Sequence, residues 1–278
     1  MSQKSYDGTP SLYLIPTPIG NFDDITLRTI KVLKELDILF CEDTRVTKQL
    51  LDHHQIKCQL IANHLHNEKN NKDKILDYLN KGINVGLVSD RGTPIISDPG
   101  WDLTKTVIDS GFNVISLPGP TALIPALTSS GINATSFMFY GFLDAKENKR
   151  KKELKNLFNY KTTLIFYEAP HRLTKTLKDM LEILGDRNIC IAREITKKFE
   201  EIYRGKISDL IIETENVKGE IVIVVAGNQN KFDYSKISIL EHINLYMLDG
   251  LEVKEAIKKV AKDRGVAKDI IYKQYHQK

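Results

Sequence analysis

Short apolar runs alternate with amphipathic stretches from residue 11 onward. SLYLIPTP (11–18), DILFCED (37–43), QLIANH (59–64), INVGLVSD (83–90) and FNVISLPG (112–119) predict strands. Between them ITLRTIKVLKEL (25–36), TRVTKQLLDHH (44–54), KDKILDYLNKG (72–82) and WDLTKTVIDSG (101–111) space their apolar residues for helices, the last two ended by Gly82 and Gly111. The rhythm is βαβ, and strands apolar on both faces suit a parallel sheet covered by helices.

A second series follows PGPTALIPALTSSG (118–131), which opens a short helix and whose Gly and Pro residues at 118–120 predict a hinge. Strands are expected over 136–143, 162–169, 188–194, 199–205 and 220–227, and helices over 146–159, 172–184 and 207–214, giving a second and mixed sheet. GNQNKFDYSK (227–236) reads as a linker. The remainder reads as three short helices with helix-turn-helix spacing. The predicted organisation is an α/β domain over 1–118, a second α/β domain over 119–230 and a helical module over 231–278.

Composition changes this picture little. The 278 residues are 41% hydrophobic and 27% charged, near the averages for globular chains and far from those of disordered or fibrous ones. No apolar run approaches the ~20 residues that cross a bilayer, and the N-terminal MSQKSYDGTP lacks a signal-peptide core, so a cytoplasmic protein without membrane contact is expected. Cys41, Cys58 and Cys190 are widely spaced without a Cys/His pairing, and His64 and His66 lack ligand partners, so no metal is expected. His53 and His54 fit a favourable helix-terminus position. The net charge of +4 is compatible with nucleic acid, and the Lys-rich tail and KENKRKKELK (146–155), six cations against two acids, are candidate phosphate-facing patches.

Three loops leave predicted strand ends, where open α/β sheets place ligands: PTPIGN (16–21), SDRGTPIISDPG (89–100) and PGPTAL (118–123). Gly and Pro there bring main-chain groups against a ligand, and Asp90, Thr93 and Thr121 add polar contacts, an arrangement suited to a flat purine or a zwitterionic amino acid. Each loop alone reads more readily as a strand terminator; it is the set of three that points to a site. The absence of G-x-G-x-x-G and of G-x-x-x-x-G-K-[ST] argues against dinucleotide and P-loop sites.

LYLIPTPIGNFDDITLRTIKVL, CEDTR, VSDRGTPIISDPG, LPGPTAL, YGFL, FYEAPHRL, REITKKFEEIYRG and KGEIVIVVAG together resemble the ribosomal RNA small subunit methyltransferase I family, of the tetrapyrrole methylase fold, over Leu12 to Gly227. The resemblance implies two α/β domains with S-adenosylmethionine in the cleft between them, methylation of a cytidine ribose 2′-hydroxyl in 16S rRNA of the small ribosomal subunit, and a homodimer. It implies cofactor contacts from Pro16, Pro18 and Ile19 in the first loop, Asp90, Gly92, Thr93 and Ile96 in the second, and Thr121 and Ala122 in the third. From the second domain it implies Tyr167, Ala169, Arg193 and Val225. The chain departs from the family pattern at Arg91, where a small residue is usual, and at Asp144, where proline is. A long cation at 91 must point to solvent, fill part of the pocket or contact RNA phosphate, and exposure is the expectation.

Methyl transfer to a neutral ribose hydroxyl benefits from a base that takes the proton, by ~10²–10⁴-fold. Glu168 ranks first, His171 second, with Glu194 and Lys197 behind them; each reads alternatively as a cap or an ion-pair partner. For RNA phosphate, Lys149, Arg150, Lys151 and Lys152 are candidates, with Arg172 nearer the cleft, against the plainer reading of a solvated helix face. Rival functions are a small-molecule tetrapyrrole methylase of the same fold and a non-enzymatic nucleic-acid-binding regulator.

Overall fold

Burial on both sides explains the composition of the first sheet. In β2 (Ile38–Cys41) and β4 (Val85–Val88) all four positions are buried, as in a parallel sheet sandwiched by helices. With β1 (Ser11–Leu14), β3 (Gln59–Ala62) and β5 (Asn113–Ser116) they form an all-parallel sheet in the order β3-β2-β4-β1-β5. The connecting helices are α1 (Leu27–Glu35), α2 (Thr44–His53), α3 (Glu68–Asn80) and α4 (Trp101–Asp109). Side-chain caps start two of them: Thr26 accepts from the Thr29 N–H, and Asp43 from the Arg45 N–H. The structure is a computed structural model that describes residues 2–5, 7–64, 68–229, 237–248 and 250–276. His66 and residues 230–236 of the predicted linker lie outside those described.

The second sheet follows α5 (Leu123–Ser129). It comprises β6 (Phe137–Phe142), β7 (Thr163–Glu168), β8 (Asn188–Arg193), β9 (Glu201–Lys206) and β10 (Ile221–Val225), in the order β6-β7-β10-β8-β9. Only β6 and β7 are parallel, so the sheet is mixed as expected. Strand alternation divides it into two cores. Ile221, Ile223 and Val225 face a core shared with α6 (Glu147–Leu157), α7 (Leu173–Leu184) and α8 (Ile207–Glu213), whereas Val222 and Val224 face Ala126 and Leu127 of α5. Both sheets lie within one compact unit, Met1–Asn228.

The second unit, Gln229–Lys278, holds α9 (Ile239–Leu248), α10 (Val253–Arg264) and α11 (Lys268–His276) around Ile243, Ile257, Val260 and Ile271. Gly265 ends α10 in the left-handed conformation, with its N–H bonded back to Lys262.

Candidate cofactor cleft

The loop after β4 is stitched to its neighbours by backbone and hydroxyl contacts. Thr17 and Gly92 exchange N–H···O=C bonds, both at 2.9 Å, which joins the first strand-end loop to the second. Thr93 Oγ1 donates to Pro120 O at 3.1 Å, which joins the second to the third. Gly92 holds φ +82°, and a Cβ there would stand 3.4 Å from Ile19, so glycine both permits the turn and keeps the cavity open. Ile95 and Ser97 in the same loop, and Glu194 and Thr196 after β8, also have φ between +50° and +77°. Non-glycine residues adopt that region only when their surroundings hold them there, and such strain gathers at functional sites.

These segments enclose a cavity of about 430 Å³, inside the ~300–1,000 Å³ of small-molecule sites. The first half supplies Ile19, Gly92, Thr93, Ile96, Thr121 and Ala122, and the second supplies Tyr167 and Ala169. All eight were expected there from the sequence. The walls also include Ser97, Asp98, Phe142, Ile195 and the run Gly219–Val222, which the sequence reading missed. Asp98 was legible in the ISDPG half of the second motif. Gly219–Val222 was not, because its place depends on β10 sitting at the centre of the second sheet.

Burial pushes the Asp98 carboxyl up to about 6; the charge of Glu42 adds to this, the Ser89 hydroxyl opposes it, and the charge of Asp90 raises it further. Burial also raises the Tyr167 phenol, against a hydrogen bond with Thr121. Across the mouth, Arg91 pairs with Glu220. Lys197 Nζ bridges Glu194 Oε1 at 2.8 Å and Glu220 Oε2 at 3.1 Å, and Thr196 bonds Asp24. Arg91 is therefore half exposed, as expected, yet it also lines the cavity and clasps the opposite wall.

Several expected residues stand elsewhere. Pro16 packs beneath Gly119, where a Cβ would lie 2.7 Å from it. Pro18 and Asp90 line a separate cavity, and Asp90 Oδ1 accepts the Asp43 N–H at 2.8 Å. Arg193 turns away to Lys218 O and Glu201. Val225 points into the α6–α8 core because strand alternation places it on that face.

Of the base candidates only Glu168 lines the cavity, and its carboxylate is engaged: Oε1 accepts the Ala169 N–H at 2.7 Å and faces Arg172 Nε at 3.2 Å, while Oε2 accepts the Thr176 hydroxyl. His171 is exposed outside the lining, and Glu194 and Lys197 pair with each other.

The basic helix also differs from expectation. Arg150 is 4% exposed, bonded to Asp179 at 2.6–2.7 Å and to Ala145 O, because it shares the inner face of α6 with Leu154 and Leu157. It is a buried structural cation and offers nothing to phosphate. Lys151 is held by Glu147 and Glu182, and Arg172 donates to Leu143 O at 2.6 Å. Lys149 is exposed with Asp144 at 3.6 Å, and Lys152 is exposed. Asp144, in place of the usual proline, accepts the Lys146 N–H in the turn before α6.

Two sheets with a cavity walled by the loops between them define the architecture of a tetrapyrrole methylase, and residues 11–211 match the profile of the Tetrapyrrole (Corrin/Porphyrin) Methylases. Among solved structures, uroporphyrin-III C-methyl transferase from Thermus thermophilus complexed with S-adenyl homocysteine shares the fold, with TM-score 0.56 at 18% identity over 78% of this chain and 97% of that one. Ribosomal RNA small subunit methyltransferase I of Bacillus subtilis is 45% identical over 99% of this chain and 98% of its own length. Its counterpart in Halalkalibacterium halodurans is 44% identical over 99% of both. The chain belongs to the ribosomal RNA small subunit methyltransferase I family.

Proposed function

We propose that this protein uses S-adenosylmethionine to methylate the ribose 2′-hydroxyl of a cytidine in 16S rRNA of the small ribosomal subunit. The observation that carries the reading is the 430 Å³ cavity, walled by the very loops that the family motifs occupy. Its residues fit the cofactor: Ile19, Ile96, Ala122 and Val222 offer apolar walls, Gly92 leaves room for a ring, and the Asp98 carboxyl suits a cation. Bound there, the cofactor supplies an electrophilic methyl group on a sulfonium. The chain's contribution would be positional: the stitched loops would orient the bound cofactor for the incoming hydroxyl, and the Arg91–Glu220 pair at the mouth would restrict water. No helix among the described residues is long and apolar enough to cross a membrane. A cytoplasmic homodimer, with domains over 1–118, 119–230 and 231–278, completes the reading.

The test is to incubate the protein with methyl-labelled S-adenosylmethionine and, separately, undermethylated small subunits, bare 16S rRNA and a porphyrinogen. Label in a cytidine 2′-O-methyl group supports the proposal. Label in the porphyrinogen alone, or in none, overturns it.

A further inference from the structure

A second cavity, of about 170 Å³, lies beside the first. It opens over the carboxyl ends of β1, β2 and β4. β2 and β4 are neighbours whose next strands lie on opposite sides, so their connections part and leave the crevice in which α/β sheets bind ligands. Its volume is below the ~300 Å³ at which sites for drug-sized molecules begin, and suits one ring better than a whole cofactor.

Its lining has the chemistry of a base pocket. Phe22 is 41% exposed and backed by the His53 ring, centroids 4.6 Å apart, so its free face offers a stacking platform. Thr47 is 3% exposed, and among the described residues its hydroxyl finds no oxygen or nitrogen partner, leaning on the weakly bonding Cys41 thiol. A buried hydroxyl left in that state is a place for a ligand's polar atom. Asp90 contributes a carboxylate with acceptor capacity beyond its bond to the Asp43 N–H, and Gln49 adds an amide. An aspartate accepts from an exocyclic amine, as cytosine presents and uracil does not.

Arg91 lines both cavities, and among the described residues no other does. A nucleotide with its base in the second cavity therefore carries its ribose and phosphate past that guanidinium toward the first. We propose that the second cavity receives the splayed base of the target nucleotide, an amino-bearing pyrimidine, stacked on Phe22 and read by Asp90, Thr47 and Gln49, with Arg91 on its phosphate. The inference rests on the proposed RNA methylation and adds to it the site of base selection.

The experiment measures methyl transfer to undermethylated small subunits carrying either the natural cytidine or uridine at the methylated position. It compares the wild type with Phe22→Ala, Thr47→Val and Asp90→Asn. Loss of a stacking face costs about 5- to 150-fold, so Phe22→Ala is expected to raise KM for subunits within that range while the affinity for S-adenosylmethionine stays within about twofold. Asp90→Asn keeps an oxygen for the Asp43 N–H and replaces the other acceptor with a donor. It is expected to erase or invert the preference for cytidine over uridine, whereas a merely structural role would lower both rates alike. Thr47→Val is isosteric, so it remains informative should Phe22→Ala unfold, and a rise in KM is expected there too. If the wild type labels subunits but all three variants keep its KM and its base preference, or if they lose cofactor affinity instead, the pocket assignment is overturned and the methylation reading stands. If the wild type labels no RNA, it is the methylation reading that falls.

Discussion

The loop 89–100 and the basic helix α6 are the two most conspicuous segments of the sequence, and the structure treats them in opposite ways. The loop keeps its chemistry facing a cavity: Ile95 and Ser97 are held in left-handed conformations, Gly92 has no side chain, and Thr93 and Ile96 line the space. The helix spends its two least exposed cations on the fold, with Arg150 and Lys151 neutralised by Asp179, Glu147 and Glu182. Backbone strain has no local remedy and persists only where surrounding contacts enforce it, whereas a surface cation is readily paired by any acid that packs beside it. A loop rich in Gly and Pro at a strand end is therefore the stronger sign of a site, and a charge run is the weaker one.

The comparison breaks first at Arg150. Removing it leaves the Asp179 carboxylate buried with, among the described residues, Lys151 at 3.6 Å as its one remaining cation, so Arg150→Ala is expected to cost about 3 kcal/mol of stability. Urea unfolding measures this, and RNA affinity of the folded protein should not change. A fall in RNA affinity without loss of stability would return Arg150 to the binding surface. Next comes Gly92→Val, which pushes side-chain atoms toward Ile19 at a left-handed position. Overpacking costs ~1–3 kcal/mol, so calorimetry should show S-adenosylmethionine affinity reduced by about 5- to 150-fold.

A smaller effect is expected from pH. Asp98, raised from 3.8 to about 6, is ionised above that value and protonated below it, so attraction for a cationic cofactor weakens as pH falls through about 6. Affinity should drop about tenfold between about pH 7 and about pH 5, and Asp98→Asn should flatten the profile. For stability the sign is opposite: a carboxyl raised on folding favours the folded state below its unfolded value, and that contribution is lost as pH rises through about 6. The smallest effect belongs to the exposed lysines of α6. Replacing Lys149 and Lys152 together with Ala should lower the salt slope of RNA binding by at most about 2 and leave cofactor affinity unchanged; no change at all would leave these two lysines without an RNA role.

How much was legible follows from the range of each signal. Apolar runs bounded by Gly and Pro located the strands and the three loops, because those signals act within a few residues. Of the eight cofactor contacts implied by the family resemblance that line the cavity, six stand on those three loops, and Tyr167 and Ala169 come from the end of β7. Val225 did not, since β10 is apolar on both faces and a run of five buried residues hides which alternate set meets which core. Arg193 and Arg150 were also opaque, because the partners that claim them, Lys218 O and Asp179, lie 25 and 29 residues away along the chain.

The sequence by itself determined the βαβ rhythm, the mixed character of the second sheet, the three helices of the C-terminal unit and the turn chemistry of the ligand loops, all consequences of local periodicity and of Gly, Pro and capping side chains. Only the tertiary structure decided that β10 lies between β7 and β8 and brings Gly219–Val222 to the cleft, that Arg91 clasps Glu220, and that Asp90 faces a second cavity. Those outcomes depend on strand order and on which charges meet after packing, and pairs separated by up to 129 residues leave no periodic trace in the chain.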